Sequence, residues 1–531
     1  MSSMQLSKYA YPGKGAAAAR PRRAPRPGPA RWAALSDDVL LEALCHLDDR
    51  QIAQLARLDK RTRRLARAGV QRRLGLGDSQ YAVFRAVLER REHVLLLGPP
   101  GSGKSHLLKI LRDRLPNPLI TASTGAAAEK IGAATIHSAL GLGIGNQTAR
   151  QIVVGKLTRK YKGFMPHPAL EQICGCKALV IDEVSMLTAK LLDLAFEVLE
   201  MVRTDLPQFV VTGDPMQLNA VGADKGEGPF FESGMIKGLR AYVLTESFRQ
   251  TEDSPFLRIL NRARLGKARE SDVQWLRANV CPQVDASAPR LFCLCYHVGK
   301  YNSAKLDELP MGTLHLYRPQ VTGKVPSTTA TWMYTTGRMP DDDEPRDVLH
   351  LKVGARVVLS RNLPEFPMLH NGSCGTVASL TNLSALVNFD VGVEARIKHV
   401  TQEYERDGQV VGTRTYMPLM LAWAVSIHRA QGATLDAMYV DLSKCFTEGQ
   451  AYVALSRVRE AAHAQVDGLA LHHLNNINKG ALAFYNECAE RSEARIERHR
   501  ERERQALERE ADVSDDALAA MMDAFERGGS A

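Results

Sequence analysis

No apolar run in this 531-residue chain approaches the roughly 20 residues that cross a bilayer, so no transmembrane helix is expected. No apolar segment opens the chain, and a secretory signal is not expected either. The nine cysteines are scattered. Cys174/Cys176 and Cys293/Cys295 are C-x-C pairs in or beside predicted strands and lack the paired C-x-x-C spacing of a zinc site. Reduced thiols in a cytosolic or nuclear setting are the expectation. Acidic side chains are missing from residues 1–33, and net charge is missing from the bulk of the chain. Residues 1–75 hold 16 Lys/Arg against 6 Asp/Glu, which accounts for the whole net charge of +10, and the remainder holds 53 of each. A generally basic body is excluded. Nucleic acid, if bound, is met by a local groove rather than by the overall field.

Apolar content of 45% and charged content of 24% are ordinary for a soluble globular protein, and the length suggests about three to four domains. Residues 1–33 carry five prolines with Arg20, Arg22, Arg23, Arg26 and Arg31, a basic tail expected to be disordered by itself. Its readings are a solvated tail, a nuclear signal, a mitochondrial presequence or a nucleic-acid arm. The prolines oppose a presequence helix, so the nucleus is preferred and the mitochondrion is the alternative. Residues 34–73 change to helical periodicity, with Leu35 before the N-cap candidate Ser36-Asp37-Asp38 and Val39, Leu40 and Leu44 after it. From Leu74 the pattern becomes α/β.

Gly98–Ser105 reads G-P-P-G-S-G-K-S and fits the P-loop pattern at every fixed position. A short apolar strand, His93–Leu97, precedes it and a helix from His106 can follow. That order builds an anion site from backbone N–H groups and a helix N-terminus. Gly98, Gly101, Ser102 and Gly103 would shape the cradle, Lys104 would reach the β- and γ-phosphates of ATP, and Ser105 would ligate Mg²⁺. Ala178-Leu179-Val180-Ile181-Asp182-Glu183 is an apolar strand ending in two carboxylates. Asp182 would hold Mg²⁺ and Glu183 would orient and deprotonate the attacking water. A further strand, from Gln208, ends in G-D-P-M-Q-L, whose Gln217 is placed to touch the γ-phosphate and couple it to DNA. Arg249 and Arg457 are candidates for stabilising the γ-phosphate across an interface; each alone reads rather as a surface ion-pair partner, and it is the ordered set that favours the phosphate role. Thr124 and His137 follow a strand and a small-residue turn that a nucleic-acid backbone can approach; taken singly, His137 reads as a core histidine. The stretches Asp341–Arg346 and Val400–Arg414 match no pattern.

Taken in order, Gln80, the P-loop, T-G-A-A-A…T-I-H-S, I-D-E-V-S-M-L, G-D-P-M-Q-L, S-F-R-Q, W-A-V-S-I-H-R-A-Q-G and Y-V-A-L-S-R resemble the motif series of the petite-integration-frequency helicases. These belong to superfamily 1B and are relatives of RecD. The resemblance spans roughly residues 75–470. It implies two RecA-like parallel-sheet domains, 74–245 and 246–470, the second carrying a small inserted β-barrel at about 345–415, with C-terminal helices over 471–531. It also implies that Gln80 reads adenine, that Gln431 belongs to the nucleotide site, and that Ser426, His428 and Thr434 meet DNA.

The activity so implied is ATP-dependent, 5′→3′ movement on single-stranded DNA with unwinding of duplex and forked DNA, in replication, repair, recombination or telomere maintenance. No membrane partner is expected. Residues 34–73 are similar to an F-box, which docks a Skp-type ubiquitin-ligase adaptor; a plain helical bundle is the alternative there. An adaptor subunit carrying a P-loop ATPase module is therefore the competing function. Arg495–Glu510 mixes Arg and Glu at i,i+4 spacing and reads as a solvated helix, followed by an amphipathic stretch Ala517–Phe525.

Overall fold

The computed structural model describes residues 41, 60–143, 147–158, 167–220, 223, 226–246, 254–285, 287–310, 312–323, 348–363, 365–366, 368–369, 371–406 and 409–509. The chain divides into two units, Met1–Leu76 and Gly77–Ala531. In the first, a basic helix runs over Lys60–Arg73. The basic tail and the F-box positions Leu35, Val39, Leu40 and Leu44 lie outside the described residues, as does Ala517–Phe525.

The second unit begins with helix α1 (Asp78–Leu88) and strand β1 (Val94–Leu97), followed by helix α2 (Lys104–Arg112). Strands β2 (Pro118–Ala122), β3 (Ala134–Thr135) and β4 (Ala178–Asp182) come next, then helix α3 (Ala189–Val202) and strands β5 (Gln208–Gly213) and β6 (Arg240–Val243). The six strands form one parallel sheet in the order β3-β2-β4-β5-β1-β6. β1 and β4 are buried at every position, which is why they read as unbroken apolar runs rather than alternating ones. Leu95, Leu97, Ile181 and Val211 pack with Leu192, Ala195 and Val198 of α3 in the core. In register, Leu97 stands beside Gly213, and Asp182 beside Ala122. The ends of β1, β4 and β5 therefore open onto one edge, where ligands of parallel sheets gather.

The chain then enters a second parallel domain through helix α4 (Pro255–Arg264), strand β7 (Arg290–Phe292) and helix α5 (Cys295–Glu308). A long excursion supplies β8 (His315–Tyr317), β9 (Gln320–Gly323), β10 (Leu349–Leu351), β11 (Arg356–Leu359), β12 (Cys374–Thr381), β13 (Ser384–Phe389), β14 (Glu394–Lys398), β15 (Val400–Arg406), β16 (Gln409–Tyr416) and β17 (Leu419–Leu421). It then returns to β18 (Ala424–Ser426), β19 (Met438–Asp441), helix α6 (Gln450–Leu455) and β20 (Ala464–Asp467). The domain sheet is parallel, in the order β18-β7-β19-β20.

The inserted element is antiparallel and larger than expected. Its main sheet runs β14-β13-β12-β11-β17, with β10-β8 and β15-β16-β9 beside it. Among the described residues no ladder joins β14 to β17. The unmatched stretch from Val400 forms the β15–β16 hairpin, crossed by a Thr401–Thr415 hydroxyl contact of 2.9 Å.

Helix α7 (Lys479–Arg509) leaves the second domain and returns to the first. Ala481 and Cys488 enter the first domain's core. Ser492 Oγ accepts from the Val243 amide at 3.0 Å, and Arg495 donates to the Ala241 carbonyl at 2.6 Å. Arg495 is therefore not part of a solvated helix. It covers the open flank of edge strand β6, whose peptide groups need partners. No helix among the described residues is long and apolar enough to cross a membrane, and the eight described cysteines are free thiols.

Candidate nucleotide site and nucleic-acid face

The loop after β1 turns on Gly101 (φ +86°) and Gly103 (φ +79°), left-handed conformations that cost a side-chain-bearing residue energy. Gly98 is needed for space: a Cβ there would stand 2.6 Å from Ser102 Oγ. Lys104 Nζ donates to the carbonyls of Gly98 (2.7 Å) and Pro99 (2.9 Å). Burial pushes the Lys104 ammonium pKa down, and the carboxylates of Glu183, Asp214 and Asp182 oppose that shift. Gln80 sits behind the loop. Its Oε1 accepts from the Gly77 amide at 3.0 Å, and its Nε2 donates to the Ser102 carbonyl at 3.2 Å.

Asp182, at the end of β4, accepts from the Glu183 amide at 2.9 Å and from the Thr212 hydroxyl. Glu183 is itself left-handed (φ +54°), a strained conformation of the kind found at working sites. A cavity of about 370 Å³ lies in front of these groups. Pro100, Gly101, Gly103, Lys104, Ser105, His106, Glu183 and Gln217 line it from the first domain; Gly432, Thr434, Arg457 and Arg459 line it from the second. A Cβ on Gly432 would stand 3.6 Å from Glu183 Oε1, so the second domain presses close to the carboxylate.

Several expected residues are placed differently. Thr434, expected on DNA, is in the cavity wall, because the turn that carries it packs toward the P-loop. Gln431, expected at the nucleotide, does not line the cavity; its Nε2 donates to Ser185 Oγ of the first domain at 3.0 Å. Arg457 is only 1% exposed. It donates to Val453 O (2.7 Å), Ala433 O (3.2 Å), Ala430 O (3.5 Å) and Ser456 Oγ (2.7 Å). The exposed arginine on the cavity is Arg459, which motif reasoning missed; the S-R-V-R spelling was the signal available. Arg249 lies outside the described residues.

The candidate nucleic-acid residues follow the C-terminal ends of β2, β3 and β18. Thr124 Oγ1 accepts from the Ala127 amide at 3.2 Å and Ser426 Oγ from the Arg429 amide at 3.4 Å, so each opens a short helix. His137 and His428 are half-buried, and burial pushes both imidazole pKa values down, favouring the neutral ring. A Cβ on Gly125 would stand 2.6 Å from Asn371, so the inserted element reaches this face.

Residues 75–281 match the AAA domain family model. The chain is 33% identical over 403 residues to the human ATP-dependent DNA helicase PIF1, covering 72% of this chain and 59% of that protein. It therefore spans about three fifths of the length of such a relative. Among solved structures, the crystal structure of Pif1 helicase from Candida albicans matches with TM-score 0.65 and 30% identity, over 78% of this chain and 99% of that one. The Bacteroides Pif1 helicase in complex with ADP-AlF3 and ssDNA matches with TM-score 0.62 and 26% identity, over 77% and 96%.

Proposed function

We infer that this chain, which belongs to the PIF1 helicase family, hydrolyses ATP in its interdomain cavity and uses the cycle to move 5′→3′ along single-stranded DNA and unwind duplex. One observation carries the reading. The cavity has a P-loop lysine and a strand-end carboxylate on one wall and arginines of a second parallel-sheet domain on the other. A nucleotide held there has its terminal phosphate between two bodies, and its loss removes the contacts that favour closure. The Candida albicans likeness supports both the two-domain architecture and the family.

Within that reading Lys104 clamps phosphate oxygens, Glu183 orients and deprotonates water, and Gln217 senses the γ-phosphate. The Ser105 hydroxyl on the cavity and the Asp182 carboxylate at the end of β4 are hard oxygen donors of the kind Mg²⁺ takes, and these two would hold it. The ion would supply charge neutralisation at the phosphates. Thr124, His137, Ser426 and His428 grip single-stranded DNA along the strand ends.

The test is strand displacement on paired duplexes bearing a 5′ or a 3′ single-stranded tail, with ATP hydrolysis followed in parallel. Unwinding is expected from the 5′ tail, with hydrolysis stimulated by single-stranded DNA. Unwinding from the 3′ tail alone would overturn the polarity, and hydrolysis indifferent to DNA would overturn the motor.

A further inference from the structure

The turn after β5 starts in the first domain and is built into the second. Asp214, the first residue beyond the strand, is fully buried. Its carboxylate accepts from Arg264 of α4 through both nitrogens of the fork, at 2.7 and 3.2 Å. It also accepts from the Tyr452 hydroxyl of α6 at 3.3 Å and from the Met216 amide at 3.2 Å. The Asp214 carbonyl closes the turn by accepting from the Gln217 amide at 3.1 Å. Arg264 is 4% exposed, and its guanidinium lies 4.1 Å from the ring centre of Tyr485 on α7. Leu218, next in the chain, is packed in the second domain's core with Tyr452. A Cβ on Gly449 would stand 2.8 Å from Met216 O, so the backbones themselves are in contact.

From this arrangement we propose that Arg264 is a positioning residue for Gln217. Through Asp214 it fixes the Asp214–Gln217 turn to α4, α6 and α7, so that Gln217 stands in the cavity where the second domain sets it. The proposal rests on the reading of Gln217 as the γ-phosphate sensor. A bidentate arginine–carboxylate pair is suited to the role because it constrains direction as well as distance. Lysine, a point charge on a flexible stem, does not reproduce that constraint.

The experiment uses the full chain and measures kcat and KM for ATP with saturating single-stranded DNA, alongside thermal unfolding. Arg264→Met is expected to lower kcat by about 10- to 100-fold with KM changed less than about threefold, as misplacement by about an ångström does. Arg264→Lys is expected to recover the melting temperature but only part of kcat. Tyr452→Phe, which removes one hydroxyl and keeps the ring in the core, is expected to lower kcat several-fold by the same criterion. It carries the test if Arg264→Met does not fold. Adding Arg264→Met to Asp214→Asn is expected to cost no further kcat, since both act through one contact.

Gln217→Ala, measured in parallel, separates the two readings. Full hydrolysis by Gln217→Ala would overturn the sensor role. Loss in Gln217→Ala together with native kcat in folded Arg264→Met, Arg264→Lys and Tyr452→Phe would overturn the positioning role. Loss that follows thermal stability alone, fully restored by Arg264→Lys, would overturn it as well.

Discussion

Replacing Lys104 by alanine is expected to lower ATP hydrolysis by about 10³- to 10⁵-fold while leaving single-stranded DNA binding largely intact. The Lys104 ammonium is held at the loop by two carbonyls, Gly98 O and Pro99 O. A charged phosphate oxygen is a stronger acceptor than either, because the hydrogen bond is then ionic at both ends. Burial in a low-dielectric pocket strengthens that pairing, and alanine leaves the transferring phosphoryl group without its cation. Thr124, His137, Ser426 and His428 do not line the cavity, so the proposed DNA face loses nothing directly. Steady-state hydrolysis with DNA present, and fluorescence anisotropy on a labelled oligonucleotide, read the two effects separately. A near-native rate in the purified variant would remove Lys104 from the site.

The second large effect is expected at Arg457. Arg457→Ala should keep ATP affinity roughly unchanged and lose hydrolysis and unwinding, by a factor of about 10³ or more, as loss of a transition-state arginine does. The geometry adds a structural cost. The guanidinium ties the carbonyls of Ala430 and Ala433 to α6 and so holds the turn around Gly432 against Glu183. Those carbonyls lose a buried donor in the variant, at about 1–3 kcal/mol. Arg459→Ala is the informative companion, because Arg459 lines the same cavity and is exposed where Arg457 is buried. The expected order is a severe loss for Arg457→Ala with a lowered melting temperature, and a smaller loss for Arg459→Ala with the melting temperature unchanged. An Arg457→Ala enzyme that still unwinds duplex would remove Arg457 from the contacts that close the second domain on the γ-phosphate.

What could be read from the chain and what could not divides along a physical line. The P-loop, Asp182 and Gln217 stand on short contiguous stretches whose conformation is decided locally, by glycines at positive φ and by buried strands that end at polar residues. Both parallel sheets follow from the same signals. Thr434, Gln431 and Arg457 were given roles from their motifs, yet their contacts depend on how the second domain approaches the first, and spacing along the chain does not encode that approach. Arg264 lies outside the motifs, and Tyr452 has no role of its own within Y-V-A-L-S-R, for the same reason: an arginine near a helix end reads as solvated until a buried carboxylate from another domain is seen against it. The charge pattern of α7 hid its packing, because Ser492 and Arg495 satisfy a strand edge through polar atoms that hydrophobic periodicity does not register. The inserted strands β8 and β9 lie before the expected boundary because antiparallel pairing draws partners from distant sequence.

Helix α7 adds to the attachments between the two parallel-sheet domains. The chain crosses from one to the other after β6, and α7 crosses back to lie on that same strand. Before either crossing, the turn after β5 dips into the second domain, where Leu218 joins its core. Two bodies joined at one place can turn about any axis through it, and each further joint removes a freedom. Unseating α7 from β6 would return one such freedom without touching a residue of the cavity.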